Sequence, residues 1–328
     1  MTTITRMFAR IGLRWASIEV ACAAVAIFLT TAVCARPAIA ACQRAPEGGV
    51  GAVALFYGEQ VPVEQLSQFD TVVLEADSGF DPRSYAARPS AGDSVQGCPT
   101  WYAYVSVGEV TKDRGYYAAM PKQWLVGKNA TWESAVVDQS APGWPRFFVE
   151  HVVAPLWARG YRGFFLDTLD SWQLIAKTDA ARAQQQAGLI AVIRAVKARY
   201  PGAQLMLNRG FEILPQVYGD VTAVAFESLY GNWDQRNQRY DAVPPDDRAW
   251  LLGQARTIRE RYRLPVISID YCAPADEPCR RDIVEKICAD GIVPYVTDGA
   301  LQTVGMGADA ACRARIDSMA PATGAVRR

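Results

Sequence analysis

Apolar and polar positions along this chain fall into two alternating textures. Eight short runs rich in Val, Ile, Phe and Tyr, at 53–57, 71–75, 101–109, 163–167, 204–208, 221–227, 265–271 and 292–298, read as strands. They are near-continuous apolar stretches, as expected of strands covered on both faces by other elements. Between them, residues 63–69, a short piece around Ser84, 144–159, 179–199, 211–217, 245–262, 280–289 and 308–319 read as helices. The clearest is 179–199, where Ala183, Ala187, Ile190, Ile193 and Val196 suggest one apolar stripe. Turn chemistry follows several helices, at Arg159-Gly160, Tyr200-Pro-Gly202 and Asp290-Gly291. Eight strands interleaved with helices predict the α/β class: a single-domain (β/α)8 TIM barrel, with an open doubly wound sheet as the alternative.

The strand-like runs end on polar or charged residues. In a barrel those ends gather around one mouth, so the candidates for chemistry are Tyr57, Glu59, Glu75, Glu109, Asp167 with Asp170, Asn208, Glu227, Asp270 and Asp298. Six of the eight runs close at or beside a carboxylate, and crowding of acids raises the pKa of at least one through repulsion and burial. Asp167 and Glu227 stand out because each directly follows a tight apolar stretch, Phe-Phe-Leu and Val-Ala-Phe, where an ion is costly. Alternate strands lie about 10 Å apart, and two inward side chains can close that to about 5 Å. Paired carboxylates about 5–5.5 Å apart suit retaining glycoside hydrolysis, whereas a wider gap admits an attacking water and inverts the anomeric centre. A lone acid at a strand end can equally cap the following helix, and Asp170 and Asp298 fit that description best. Trp172, Tyr230 and Trp233, just past these strands, are candidate platforms for sugar or cation, with core packing the other reading for each.

The first forty residues change the picture of where the chain goes. Arg6, Arg10 and Arg14 precede an apolar run that ends near Ala38-Ile-Ala40, the layout of a secretory signal. Residues 1–40 are therefore expected to be removed, 41–50 to form a short disordered lead, 51–320 the barrel and 321–328 a disordered tail. A lipobox-like Ile39-Ala-Ala-Cys42 offers lipidation at Cys42, an outer-membrane lipoprotein, as a second reading, and a retained anchor as a third. No membrane contact is otherwise expected, and the protein is expected in the periplasm or outside the cell. The whole chain has 34 basic and 34 acidic residues; without the four Arg and one Glu of the leader, 30 and 33 remain. That near-neutral balance argues against nucleic acid as partner.

Six cysteines lie beyond the leader, an even number that predicts disulfides in an exported chain, with Cys272–Cys279 the most local candidate pair. Zinc is not expected: no pair has CxxC spacing, and His151 is the single histidine. His151 falls on the helix before the fourth strand, away from the mouth, and reads as structural. Asn129-Ala-Thr131 matches a glycosylation acceptor, which has meaning only in a glycosylating host.

Four segments in order, Tyr102-Ala-Tyr-Val-Ser-Val-Gly-Glu109, Gly160-Tyr-Arg-Gly-Phe-Phe-Leu-Asp-Thr-Leu-Asp170, Leu207-Asn-Arg-Gly-Phe-Glu212 and Phe226-Glu-Ser-Leu-Tyr-Gly231, resemble glycoside hydrolase family 114, the endo-α-1,4-polygalactosaminidases. The resemblance implies a (β/α)8 barrel acting on α-1,4-linked, galactosamine-rich polysaccharide, with no cofactor. It implies Asp167 and Glu227 as the catalytic acids, Asp167 as nucleophile and Glu227 as acid/base. With one histidine, the Asp-His-His metal site of the deacetylase domain found in a larger member is not expected here. A cationic galactosaminoglycan suits an acid-lined groove on physical grounds as well, because its ammonium groups are attracted to it. Two other readings stay open: a barrel that grips polysaccharide without cutting it, and a hydrolase that uses the acids to hold Mg²⁺ or Ca²⁺.

Overall fold

In the computed structural model, residues 50–86 and 99–319 are described; the leader, Cys42, Cys98 and the C-terminal tail fall outside them. Eight parallel strands form the frame: β1 (Val53–Phe56), β2 (Thr71–Glu75), β3 (Thr100–Ser106), β4 (Gly163–Asp167), β5 (Gln204–Asn208), β6 (Ala223–Glu227), β7 (Val266–Tyr271) and β8 (Val293–Thr297). Each hydrogen-bonds its neighbour in chain order. Helices fill the crossovers, and the sheet curls into a nearly closed (β/α)8 TIM barrel, so the open-sheet alternative does not apply. At the seam, Tyr295 Oη donates to Leu55 O at 2.8 Å and Tyr57 N donates to Leu301 O at 2.8 Å. Met306–Gly307 pairs antiparallel with β8 beside that seam.

The near-continuous apolar texture follows from burial on both faces. Val53, Ala54, Leu55, Phe164, Leu166, Val224 and Phe226 have almost no exposed surface, because one face fills the barrel interior and the other meets helices. Each large side chain so buried contributes about 1.5–3 kcal/mol relative to exposure. Val50, assigned above to the disordered lead, is already buried and accepts from Thr71 Oγ1 at 2.7 Å.

The helix Asp179–Arg199 has the expected bounds, and Thr178 caps it by accepting from Ala181 N. Its buried stripe is a correction: Gln185, Leu189, Val192, Ile193 and Val196 face inward, while Ala183 and Ala187 are exposed. Larger side chains decide the phase because an alanine removes little area from water. Gln185 joins the stripe because its Oε1 accepts from Gln139 N at 2.9 Å and its Nε2 donates to Asp138 Oδ1 at 2.8 Å. Gly188 permits that contact, since a Cβ there would sit 1.8 Å from Gln139 O.

The third strand is shorter than its apolar run. After Ser106 the chain leaves the barrel and builds an antiparallel sheet from Glu109–Val110, Leu125–Asn129 and Ser134–Val137. A hairpin, Gly231–Asp234 with Arg239–Ala242, rises after β6. These segments are two to five residues long, too short for an apolar period to predict them.

Two disulfides close the last third: Cys272–Cys279, as expected, and Cys288–Cys312, which ties helix Glu277–Ala289 to helix Ala310–Ser318. The second spans 24 residues against 7 for the first. Chain entropy then makes it the larger contributor, about 3.5 against about 2.5 kcal/mol. Replacing Cys288 and Cys312 by Ala should lower the denaturant midpoint more than replacing Cys272 and Cys279; an equal or reversed order in urea melts would contradict this account.

Candidate active site

A cleft of about 630 Å³ opens at the C-terminal ends of the strands. Alternation along each strand selects what lines it: Leu55 and Tyr57, Tyr104 and Ser106, Phe165 and Asp167, Ile269 and Tyr271, together with Glu75, Asn208 and Glu227. Asp167 and Glu227, which end β4 and β6, are joined there by the strand between them. Asn208 Nδ2 donates to Asp167 Oδ1 at 2.7 Å and to Glu227 Oε1 at 2.8 Å. Those two oxygens can therefore be no farther apart than the combined bond lengths, 5.5 Å.

The outer oxygens each have a phenol. Tyr104 Oη donates to Asp167 Oδ2 at 2.7 Å, and Tyr271 Oη donates to Glu227 Oε2. Tyr57 stands over the pair, its ring 5.1 Å from that of Tyr104. Burial, then the charges of Asp167 and Glu227, keep the Tyr57 phenol well above its ordinary pKa, so it stays protonated. Asp167 is itself pushed up to about 6, by burial first and by the negative charge of Glu227 second, against hydrogen bonds from Tyr104, Thr168 and Asn208.

The backbone aims these side chains in a repeated way. Thr168, Arg209 and Ser228, the residues just past Asp167, Asn208 and Glu227, all take left-handed φ, 61°, 60° and 64°. For residues with a Cβ this costs on the order of 1 kcal/mol or more each. Hydrogen bonds to the adjoining strands hold two of them: Arg209 N donates to Ala225 O at 2.7 Å and Ser228 N to Ile269 O at 2.9 Å. The chain thus turns sharply right after Asp167, Asn208 and Glu227, leaving each side chain at the rim.

The expected crowd of acids is reduced to this pair by local partners. Glu75 lines the cleft but is paired with Arg114, whose Nη2 lies 3.0 Å from its Oε2. Glu109, 5% exposed, accepts from Asn129 Nδ2 at 3.0 Å and from the hydroxyls of Ser134 and Ser171, so its carboxylate fastens the inserted sheet to the loop after β4. Asp270 is fully buried on the opposite side of β7, where it accepts from Tyr230 N, Gly231 N and Ser268 Oγ. The period of two decides this: Ile269 and Tyr271 face the cleft, so the residue between them cannot.

Asp298 caps its own loop, accepting from Ala300 N, Gln302 N, Thr303 N and Thr303 Oγ1. Burial pushes its pKa up, but those hydrogen bonds prevail and hold the carboxyl below its usual range. Asp170 stands before the single turn Ser171–Leu174, outside the cleft lining. Among the described residues no three His, Cys, Asp or Glu side chains are grouped to share a metal ion.

Of the aromatic candidates, Trp233 lines the cleft, packed on Tyr240 with ring centres 4.7 Å apart and donating Nε1 to Gln235 Oε1. Gly299 makes room for it, since a Cβ there would meet the indole at 2.2 Å. Trp172 and Tyr230 are placed elsewhere. Trp172 is 5% exposed in the core, and Tyr230 donates to Asp290 Oδ2 at 2.7 Å, with Arg248 over its ring. His151 is exposed and stacks on Phe147. Tyr104 and Tyr271 went unnoticed in the sequence; a step of two back from Ser106, the partner of Asp167, and two forward from Ile269, the partner of Glu227, points to them once the register is known.

A parallel barrel whose mouth holds two carboxylates bridged by an amide has the layout that glycoside hydrolysis uses. The glycoside hydrolase family GH114 model matches residues 54–313, and the chain belongs to that family. The glycoside hydrolase domain of PelA from Pseudomonas aeruginosa is 36% identical, with a TM-score of 0.69 over 78% of this chain and 97% of that one. Ega3 of Aspergillus fumigatus shares the fold at 15% identity, TM-score 0.54, over 79% and 96% of the two chains. A protein of Deinococcus radiodurans is 26% identical over 220 residues, and this chain spans 64% of that relative's length.

Two measurements check the electrostatics. Replacing Glu227 by Gln should bring the Asp167 titration down from about 6 toward 3.8, and Asn208→Ala should move it further up, because a bond favouring the ionised form is lost. Carboxyl NMR reads both, and shifts of the opposite sign would overturn the stated causes. Asp167→Asn should also stabilise the fold at neutral pH. Below pH 3.8 Asp167 is protonated folded and unfolded, so nothing is gained; the benefit grows as pH rises to about 6 and then stays at about 1–3 kcal/mol. A variant no more stable than wild type at pH 7.5 would refute it.

Proposed function

We propose that this glycoside hydrolase cleaves α-1,4-linked, partly de-N-acetylated galactosamine polymer by a retaining mechanism, acting within the chain. The observation that carries the reading is the Asn208 bridge, which keeps the two carboxylate oxygens within 5.5 Å. That bound lies nearer the about 5–5.5 Å of direct attack by one carboxylate than the about 6.5–9.5 Å of an inverting pair. In the reading, Asp167 attacks the anomeric carbon while Glu227 gives its proton to the glycosidic oxygen, releasing the leaving chain and forming a glycosyl ester on Asp167. Glu227 then takes a proton from water, which attacks the same carbon and frees Asp167.

Support for the substrate comes from family membership and from charge. Glu75, Glu109, Asp167 and Glu227 line the cleft against Arg114 and Arg209, an excess of negative charge that favours an ammonium sugar. Trp233, Asn208 and Tyr57 would contact it, and Ega3, alike in fold, was captured with galactosamine. Export to the periplasm or beyond, with removal of residues 1–40, accords with the two disulfides.

Asp167→Asn and Glu227→Gln should each cut oligosaccharide release from de-N-acetylated galactosaminan at least a thousandfold in folded protein. Azide should rescue the acid/base variant as a glycosyl azide of retained configuration, and any rescue of the nucleophile variant should give the inverted azide; the first product of wild type should keep the α configuration by NMR. The basic limb of kcat/KM should lie near pH 6, because Asp167 titrates there against the charge of Glu227 and above that pH the pair keeps no proton for the glycosidic oxygen. Full activity in either variant removes the catalytic assignment, β product removes retention, binding without new reducing ends favours the gripping barrel, and loss of activity to chelator favours a metal.

A further inference from the structure

Beside the cleft lies a second hollow of about 710 Å³ on the inserted sheet, and the two share Val110, Thr111, Trp132 and Ser134. They form one continuous furrow with Trp132 on the divide. Trp132 sits on the turn between Leu125–Asn129 and Ser134–Val137, and its surface is 58% exposed, more than any other large apolar side chain among the described residues. More than half of its surface is therefore open to a ligand in the furrow.

The turn beneath it is nonetheless fastened. Asn129 Oδ1 accepts from Thr131 N at 3.1 Å, Asn129 Nδ2 donates to Glu109, and Ser134 Oγ donates to the same carboxylate. Glu109 in turn holds Ser171, just past the catalytic strand β4. The buried carboxylate thus fixes an exposed aromatic platform relative to Asp167, so ordering it on binding costs little.

The charges of the second hollow differ from those of the cleft. Lys112 and Lys128 face Asp113 and Glu133, two cations against two anions. A field so balanced gives little preference for an ammonium sugar over a neutral one.

We propose that this hollow is a distal sugar subsite, in which Trp132 stacks on a residue of the polysaccharide several sugars from the cut and accepts it with or without its acetyl group. This rests on the polysaccharide reading above. Recognition here is by ring face rather than charge, so it extends the grip on long chains and tolerates a mixed acetylation pattern, while the acidic cleft selects the sugar at the cleaved bond.

Trp132→Ala, Trp132→Phe and Asn129→Ala are to be assayed on long galactosaminan and on the shortest oligomer that wild type cuts, each at low and at high salt. Trp132→Ala should raise KM for the long chain about five- to twentyfold, leave kcat and the short substrate unchanged, and lose as much at high salt as at low. Trp132→Phe should recover most of the affinity, and Asn129→Ala should fall between. An unchanged KM in an active enzyme, an equal loss on the short substrate, or a loss that salt abolishes each overturns the subsite alone. A wild-type protein that cuts no galactosaminan overturns the substrate reading and the subsite with it.

Discussion

Two carboxylates in a low-dielectric cleft within 5.5 Å of each other repel by about 3 kcal/mol, taking an effective dielectric near 20. Everything at the mouth of this barrel is arranged around that repulsion. One amide group lies between the acids with a hydrogen for each, and a tyrosine holds the far oxygen of each. Four hydrogen bonds to charged groups, each about 1.5–3 kcal/mol, are enough to hold the pair in place while leaving Asp167 raised to about 6.

The barrel supplies the rigidity this needs. Successive strands β3 to β7 place Tyr104, Asp167, Asn208, Glu227 and Tyr271 on one inward-facing set, and the left-handed turns at Thr168, Arg209 and Ser228 end the strands at the rim. Glycines serve the same geometry where side chains would collide, as at Gly299 beneath Trp233. Acids that a sequence places in the same zone, Asp270 and Asp298, are spent on holding backbone amides of the loops that form the wall. Glu109 works similarly at longer range, since it fastens an inserted sheet that widens the cleft into a furrow.

Much of this was legible before any coordinates. The bounds of β2, β4 and β5 were read to the residue because each is a short apolar run, buried on both faces, with an abrupt polar end. The two acids were singled out by the cost of placing an ion directly after Phe-Phe-Leu or Val-Ala-Phe. The inserted sheet, the hairpin after β6 and Trp132 left no such trace, because strands of two to five residues set in long loops are too short to show a period.

The sequence by itself determined the alternation of strands and helices, hence the barrel, and placed Asp167 and Glu227 at its mouth, because burial and chain order act locally along the chain. Only the tertiary structure decided which residues there face one another. A run apolar on both faces does not reveal its phase, so Asp270 was singled out and Tyr271 passed over, although it is Tyr271 that faces the cleft. Nor does it reveal partners: that Asn208 lies between two acids, while Glu75 meets Arg114, depends on contacts between distant segments that form when the sheet curls and closes.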